Sequence, residues 1–505
     1  MWGRRFVLTA RHWAVPASLV LIAGCTAGPA DPASNATPVT AEVSAPSTAL
    51  TVLDVGDGGE SAIATSAALF RSAPVAVVTD RSDLSGAGAI AERLGAPVLL
   101  APTTGPPDAL REELTRLSPQ AVLTVDSGTR PVAEAAAGTV PVLAVDPATS
   151  ELPEGLPDID PPAPVGVTVL VDATRDDAAA VATARAAGAR VVTVRGADPR
   201  ADRAAAEALR TDPLTAVLAV GGGFGPVERL RTRLEVAVRG IELPGGGQVL
   251  FPARRLVCLY GHPGAPVLGV LGEQGVEQAV ARAKEHAARY EPLSQVPVVP
   301  AFEIIATVAQ GAPGPDGDYS GEASVELLRP WVEAAGREGL YVLLDLQPGR
   351  ARLLDQAKRY APLLELPHVG LAVDPEWKLG PDQVPLRQIG GMDAAEINEA
   401  ATWLADLTAR AALPQKLLVV HQFRLSMIRD EPSLKTDHDE LAVLIHMDGQ
   451  GSTAQKTATW QSVVAARPHD GVPMGWKNFY DEDHPMLTPE QTMRYAPTPM
   501  MISYQ

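Results

Sequence analysis

The stretch Val-Gly-Leu-Ala-Val-Asp-Pro-Glu-Trp, residues 369–377, decides how the second half of this chain is interpreted. Its first five residues carry no charge, which suits a strand buried on both faces. Asp374 and Glu376 follow, and an extended backbone would point both carboxylates the same way, while Pro375 between them blocks further ladder hydrogen bonding. A strand that delivers two carboxylates and Trp377 to its C-terminal end is typical of a barrel enzyme, but solvated acids at an ordinary strand end fit this stretch equally well.

Other apolar runs surround this stretch between residues 251 and 505, and amphipathic segments separate most of them. Together with the opening strand they make eight, and only the connection between the fifth and sixth lacks a clear helical pattern. The order and spacing predict a (β/α)8 barrel over residues 251–505, with a doubly wound sheet as the alternative. The other runs are residues 256–260, 298–305, 341–346, 416–420, 441–445, 472–477 and 500–504.

A barrel makes a further prediction, namely that polar side chains gather just after each strand. Polar residues do follow the predicted strands, and charged residues are scarce inside them. We therefore expect these residues to line one shared rim, although any single one could be structural. The candidate substrate-binding residues are Tyr260, His262, Glu303, Asp345, Gln347, Trp377, His421, His446, Asp448, Lys477, Tyr480 and Asp481.

A rim rich in carboxylates with Trp and Tyr nearby suits a carbohydrate, because aromatic faces stack on sugar rings. Glycoside hydrolysis needs one protonated and one ionised acid. Glu376, desolvated against Trp377, is our candidate general acid, because desolvation raises the pKa of a carboxyl group. Asp374 is the candidate orienting residue or partner, with Asp448 or Asp481 across the rim as alternatives.

The Asp374-x-Glu376 pair resembles the tail of the chitinase-type signature, in which the Asp orients the acid Glu. That family has another Asp where this chain has Ala372, so the resemblance is partial. The large retaining clan of glycosidases places Asn-Glu on the fourth strand, whereas this chain has Pro375-Glu376. The resemblances imply glycosidase-like chemistry without establishing a catalytic family.

Two other functions stay open. His421 and His446 end the fifth and sixth predicted strands, where amidohydrolase-type barrels place metal ligands, but the first strand offers only the lone His262. The barrel could also bind a glycan without cutting it. Our prediction includes no cofactor and no metal.

The first 25 residues have the features of an export signal. Arg4, Arg5 and Arg11 precede a short apolar run over residues 14–22. The sequence Leu-Ile-Ala-Gly-Cys that ends at Cys25 resembles the lipobox of bacterial lipoproteins. That resemblance implies removal of residues 1–24 and attachment of acyl chains to Cys25, which would hold the protein on the outer face of a membrane. Residues 25–49, rich in Ala, Pro, Ser and Thr, are predicted to form a flexible tether.

Residues 50–250 alternate short apolar strands with Ala-rich helices, which predicts a parallel α/β region. A Pro-rich segment at 152–164 divides it into halves at about 50–150 and 165–250. Val75–Thr79, Asp80, the Ser-Gly-Ala at 85–87 and the Leu-Gly-Ala-Pro-Val-Leu-Leu at 94–100 resemble the actinobacterial cell-wall-binding repeat of the second type. This resemblance implies binding to cell-envelope polymer.

Net charge limits the classes of binding partner, and cysteine content limits the disulfides that can form. The formal net charge of −18 argues against nucleic acid, because few basic groups are free to displace phosphate counterions. If Cys25 carries lipid, Cys258 is the sole remaining cysteine and no intrachain disulfide can form. We expect an extracytoplasmic protein that contacts a cell-envelope polysaccharide and is attached to the membrane through its N-terminal lipid.

Overall fold

The computed structural model describes residues 37–56, 58–125, 128–145, 151–211 and 215–505. The predicted signal peptide, Cys25 and the first part of the tether lie outside the described residues. Within the described ranges, no helix combines the length and apolar character needed to cross a bilayer.

The C-terminal half is a closed barrel of eight parallel strands. Its first strand pairs in parallel with both the second and the eighth strand, so the ring has no edge. The prediction of a TIM-type barrel is therefore confirmed, and the doubly wound alternative is wrong for this half, because an open sheet keeps two unpaired edges. In chain order the barrel strands are Arg255–Gly261, Val298–Ala309, Tyr341–Leu346, Val369–Val373, Lys416–His421, Leu441–Met447, Met474–Asn478 and Met501–Tyr504.

Helices connect most barrel strands, and the fifth connection differs, as the sequence indicated. It contains the 3-10 turns Leu425–Met427 and Glu431–Ser433 and the short strand Ile428–Arg429. That strand pairs in parallel with Met392–Asp393, so the loops after the fourth and fifth barrel strands are joined. The barrel helices are Val276–Ala288, Val325–Arg337, Leu353–Arg359, Ala361–Leu364, Ala394–Arg410, Thr453–Ala466 and Pro489–Thr492.

The N-terminal region is parallel α/β, as predicted, and contains two four-stranded sheets. The strand Leu50–Leu53, expected in the first half, instead pairs with Val217–Val220 in the second sheet. Its apolar residues therefore cover the edge of a strand more than a hundred residues away in the chain. In spatial order the sheets are Val98–Leu100, Val75–Thr79, Ala121–Thr124, Val142–Ala144, and Leu50–Leu53, Val217–Val220, Thr168–Asp172, Arg190–Val194.

The two sheets share one hydrophobic core. The helix Ala178–Ala186 of the second half packs against the first, where the Thr183 hydroxyl accepts from the Val98 amide at 2.9 Å and donates to the Val98 carbonyl at 3.0 Å. The helices of this region are Gly59–Leu69, Leu84–Leu94, Asp108–Leu117, Arg130–Ala137, Ala178–Ala186, Arg203–Thr211 and Val227–Arg239.

The end of the predicted tether is folded. Glu42–Val43 pairs antiparallel with Phe70–Ser72, and Ala41 is buried. Apolar residues alternate with polar ones at Val39, Ala41 and Val43, a period-2 pattern that suits an edge strand. The flexible-tether prediction is therefore wrong for these residues.

An arginine cluster joins the second sheet region to the N-terminal end of the barrel. Asp439, just before the sixth strand, accepts hydrogen bonds from Arg229 at 2.6 Å and Arg233 at 2.7 Å. Arg200 donates to the Asp439 carbonyl at 2.9 Å. These guanidinium groups hold the pKa of Asp439 to about 2, although burial alone would raise it. The opposite, C-terminal end of the barrel points away from this contact.

Candidate active site

The C-terminal end of the barrel brings most of the predicted rim residues together. The strand register places Tyr260 beside Glu303 and His421 beside His446 on adjacent strands. Glu303, Asp345, His421 and His446 are fully buried, and they form a layer beneath a cavity of about 280 Å³. That cavity is lined by Tyr260, Gln347, Asp374, Glu376, Trp377, Phe423, Asp448, Gly449, Gln450, Lys477, Phe479, Glu482 and Gln505.

His421 is the centre of the buried layer. Its Nε2 lies 3.0 Å from Glu303 Oε1, and its Nδ1 lies 3.1 Å from Asp448 Oδ2 and 3.6 Å from Asp374 Oδ1. Burial opposes a charge on this ring, but Asp374, Glu303 and Asp448 outweigh burial and raise the pKa of His421 well above its usual range. His421 is therefore an imidazolium that donates to carboxylates from both nitrogens.

His446 lies in contact with His421 and has the opposite character. Its Nδ1 is 3.3 Å from His421 Nδ1, and its Nε2 is 3.3 Å from the Ser503 hydroxyl. Burial and the neighbouring His421 cation lower the pKa of His446 well below its usual range, so it is neutral. Gly475 makes room for this ring, since a Cβ at that position would clash with His446 Cδ2.

Tyr260 links the third and fourth strands. Its hydroxyl lies 3.0 Å from Asp345 Oδ2 and 3.4 Å from Asp374 Oδ2. Lys477 Nζ lies 3.4 Å from the centre of the Tyr260 ring, a cation–π contact. Burial and the neighbouring Asp374 raise the pKa of Asp345 well above its usual range. The raised pKa favours the protonated form of Asp345 beside Asp374.

The stretch that ends the fourth strand differs locally from the expectation. Pro375–Trp377 forms a single 3-10 turn instead of extended backbone, with the Lys378 amide bonded to the Pro375 carbonyl at 3.0 Å. Proline favours this turn because its fixed φ angle suits a first helical position. The turn still brings carboxylate oxygens of Asp374, Glu376 and Asp448 within 4.8 Å of one another.

The acids of this group have oxygens with no hydrogen-bond partner among the described residues. These are Asp374 Oδ1, Glu376 Oε2 and Asp448 Oδ1, and all three atoms are buried. Burial, Asp374 and Asp448 raise the pKa of Glu376 well above its usual range. Burial also raises the pKa of Asp374, but His421 and Lys477 oppose that shift. The pKa of Glu376 is therefore raised further above its usual range than that of Asp374, which the neighbouring cations help to ionise.

The structure does not bring every predicted residue to the cavity. His262 Nδ1 is hydrogen-bonded to the Ile305 carbonyl at 2.8 Å. Tyr480 turns outward, where its hydroxyl lies 2.7 Å from His286 Nε2, and Asp481 is exposed beyond the cavity. These three side chains do not line the cavity, because position after a strand does not fix the direction of a side chain.

Sequence reasoning also missed several lining residues. Phe423 and Phe479 each come two residues after a site residue, His421 and Lys477, so an aromatic at a strand end was the available signal. Gln450 lies in a glycine-rich loop after the sixth strand, and nothing in its sequence context marked it.

The buried layer contains side chains of the types that bind metal ions. Glu303, His421 and His446 offer atoms within 4.8 Å of one another, as do Asp345, Asp374 and His421. Both His421 nitrogens face carboxylate oxygens, and Glu303, Asp345, His421 and His446 do not line the cavity. A catalytic metal keeps a coordination position open to substrate, so these sets fit a metal catalyst poorly.

A scan against protein-family models and a search of curated proteins found nothing that matches this chain.

Proposed function

We propose that the protein is a glycoside hydrolase of the cell envelope, with Glu376 as general acid and Asp374 as its ionised partner. The observation that carries the proposal is the contact of these acids at the cavity. Glu376 has a raised pKa and a buried oxygen with no hydrogen-bond partner in the described part of the chain, while Asp374 lies beside the cationic His421 and Lys477. Two neighbouring carboxyl groups with different protonation states are what glycoside hydrolysis requires.

In this mechanism Glu376 protonates the glycosidic oxygen as the bond to the anomeric carbon breaks. Asp374 attacks that carbon to form a glycosyl ester, or stabilises its positive charge. Glu376 then removes a proton from a water that attacks the anomeric carbon, which releases the sugar and returns Asp374 as a carboxylate. Inverting enzymes separate their carboxyl groups by about 6.5–9.5 Å to admit a water, whereas retaining ones keep them at about 5–5.5 Å. Asp374 and Glu376 offer oxygens within 4.8 Å of one another, closer than the spacing that inverting enzymes use to admit a water.

The buried layer positions Asp374. Tyr260 and Asp345 lie against one side of this carboxylate and His421 lies against the other. Trp377, Phe423 and Phe479 supply apolar faces for sugar rings, and Gln347 and Gln450 supply amides for hydroxyl groups. The arrangement binds a sugar between aromatic faces and above two acids.

The location of the protein is part of the proposal. The lipobox-like sequence at Cys25 and the repeat-like segment at residues 75–100 support a lipid-anchored, extracytoplasmic protein that acts on a cell-envelope polysaccharide. If Cys25→Ala remained in the membrane fraction after expression in a lipoprotein-processing bacterium, the lipid anchor would be ruled out. The matched control is Cys258→Ala, because Cys258 is buried in the barrel and has no role in anchoring.

Release of reducing sugar from a panel of envelope polysaccharides tests the activity. The expected result is release by the wild-type chain and a loss of about 10²–10⁴-fold in Glu376→Gln, because a general acid contributes that much. Glu365→Gln, which changes an exposed acid, is the matched control. Full activity of Glu376→Gln would refute the assignment of the acid, and binding without release would indicate a non-catalytic glycan-binding protein.

A chelator separates the remaining alternative. Glycoside hydrolysis by Glu376 and Asp374 is expected to survive an excess of EDTA. Loss of activity with EDTA and its recovery with zinc would favour a metal-dependent hydrolase that uses His421 and His446.

A further inference from the structure

The cavity is lined by more acidic side chains than the proposed hydrolysis uses. Asp374, Glu376, Asp448 and Glu482 line it, and Lys477 is the one basic side chain in the lining. Lys477 already lies against the Tyr260 ring, where its charge acts on Asp374 and Asp345. Even with Glu376 protonated, the other three acids outnumber Lys477, so a ligand that enters this cavity meets more acidic than basic groups.

Asp448 is the acid whose role the proposed hydrolysis leaves unexplained. Its side chain is 6% exposed, and Oδ2 accepts the hydrogen bond from His421 at 3.1 Å. Its other oxygen, Oδ1, is buried and has no hydrogen-bond partner among the described residues. A buried carboxylate oxygen without a donor is costly, so this atom is expected to meet a donor when substrate is bound.

We propose that Asp448 binds a substrate ammonium group, and that the substrate is a glycan carrying free amino groups. The proposal rests on the proposed glycoside hydrolysis and names its substrate class. An ammonium donates charge-assisted hydrogen bonds of about 2.7–2.9 Å, and Asp374 adds a second negative charge within 4.8 Å of Asp448. Trp377, Phe423 and Phe479 add aromatic faces, which attract cations.

The geometry also indicates which carbon of the sugar carries the amino group. Asp448 lies within 4.8 Å of both Asp374 and Glu376, so a group that it binds sits next to the reacting bond. An amino group on the carbon adjacent to the anomeric carbon satisfies this requirement. Its charge would oppose the positive charge that develops at the anomeric carbon, and Asp448 offsets that repulsion.

Binding to a non-hydrolysing variant tests the inference independently of turnover. A glucosamine oligomer and its fully N-acetylated form, equal in length, are titrated calorimetrically into the mature Glu376→Gln chain. The expected result is that the amine form binds at least about tenfold tighter, the usual size of a hydrogen bond to a charged group. Equal or tighter binding of the N-acetylated form would overturn the inference.

Asp448→Asn in the same background is expected to remove the preference, while Asp406→Asn, an exposed acid on the helix Ala394–Arg410, keeps it. A preference that survives in folded Asp448→Asn contradicts the role of Asp448. The comparison of the two oligomers decides the matter even if Asp448→Asn fails to fold. Stoichiometric binding of Ca²⁺ that displaces the amine oligomer would assign the free oxygen to a metal instead.

The two proposals fail separately. Preference for the amine form without turnover of any glycan would contradict the hydrolase and leave the ammonium site standing. Cleavage of an N-acetylated glycan, without preferential binding of the amine form, would contradict the ammonium site and leave the hydrolase standing.

Discussion

The two ends of the barrel bury charged groups in different ways. At the N-terminal end, buried basic side chains donate to backbone carbonyls: Lys416 Nζ donates to Leu366 at 2.8 Å and Val369 at 2.9 Å, and Arg255 Nε donates to Pro499 at 2.7 Å. At the C-terminal end, the carboxyl groups of Asp374, Glu376 and Asp448 each keep an oxygen that has no donor among the described residues.

The difference distinguishes buried groups that stabilise the fold from buried groups that can interact with a ligand. A buried basic group that donates to fixed groups of the chain holds the chain in place, whereas a buried acid with a free oxygen can accept a hydrogen bond from a ligand. Changes at the N-terminal end should therefore alter stability alone, and changes at the C-terminal end should alter the pH dependence of activity as well.

The largest expected effect comes from His421→Gln. It removes the cation between Glu303 and Asp448, and breaking a buried ion pair costs about 3–5 kcal/mol of unfolding free energy. His421 also lowers the pKa of Asp374 and of Glu376, so its loss should move the whole pH–activity profile to higher pH. Urea unfolding and sugar release across pH measure both effects. His469→Gln, on the exposed surface, should change neither, and an unmoved profile in folded His421→Gln would contradict the charge assigned to His421.

The next effect concerns pH and the opposite end of the barrel. Burial lowers the pKa of Lys416 to about 7, whereas a lysine in the unfolded chain titrates near 10.4. Between these values the unfolded state binds more protons, so stability rises with pH. Relative to Lys416→Met, the wild-type chain should gain about 1.4 kcal/mol per pH unit between pH 7 and 9. Lys358→Met, an exposed lysine, should show no such trend, and a flat difference would mean that Lys416 stays charged when folded.

A smaller effect is expected from Asp439→Asn at the arginine cluster. The folded pKa of Asp439 is about 2, below its usual value of 3.8, so its contribution is present above about pH 4 and is lost as pH falls toward 2. The shift corresponds to about 2 kcal/mol at neutral pH. Thermal unfolding at pH 7 should detect this loss, with kcat for glycan release unchanged. A fall in kcat of the folded variant would show that the two ends of the barrel are coupled.

The barrel was predictable because its strands are mainly apolar runs that alternate with amphipathic segments, a signal that survives without knowledge of tertiary contacts. The bounds of the strands were less so. The second strand continues past Glu303 to Ala309 because Ser320–Glu322 pairs with its end. This pairing strand lies in a polar loop whose composition does not predict a strand.

The site was predictable as a rim and less so as a set of contacts. Glu376 and Asp374 meet as expected, but through a 3-10 turn at Pro375 that replaces extended backbone. Tyr480 follows the seventh strand as Lys477 does, yet it bonds His286 on a helix outside the ring. Side-chain direction at a strand end is set by such neighbours, which a single sequence does not reveal.

The pairing of Leu50–Leu53 with Val217–Val220 has a consequence for how the chain is made. The ribosome releases the first of these strands long before the second, so the intervening sheet folds as an insertion while its host is still incomplete. A shortened protein that begins at residue 165 would lack this strand. It would expose one side of Val217–Val220 as an open parallel edge, a template for aggregation with other chains.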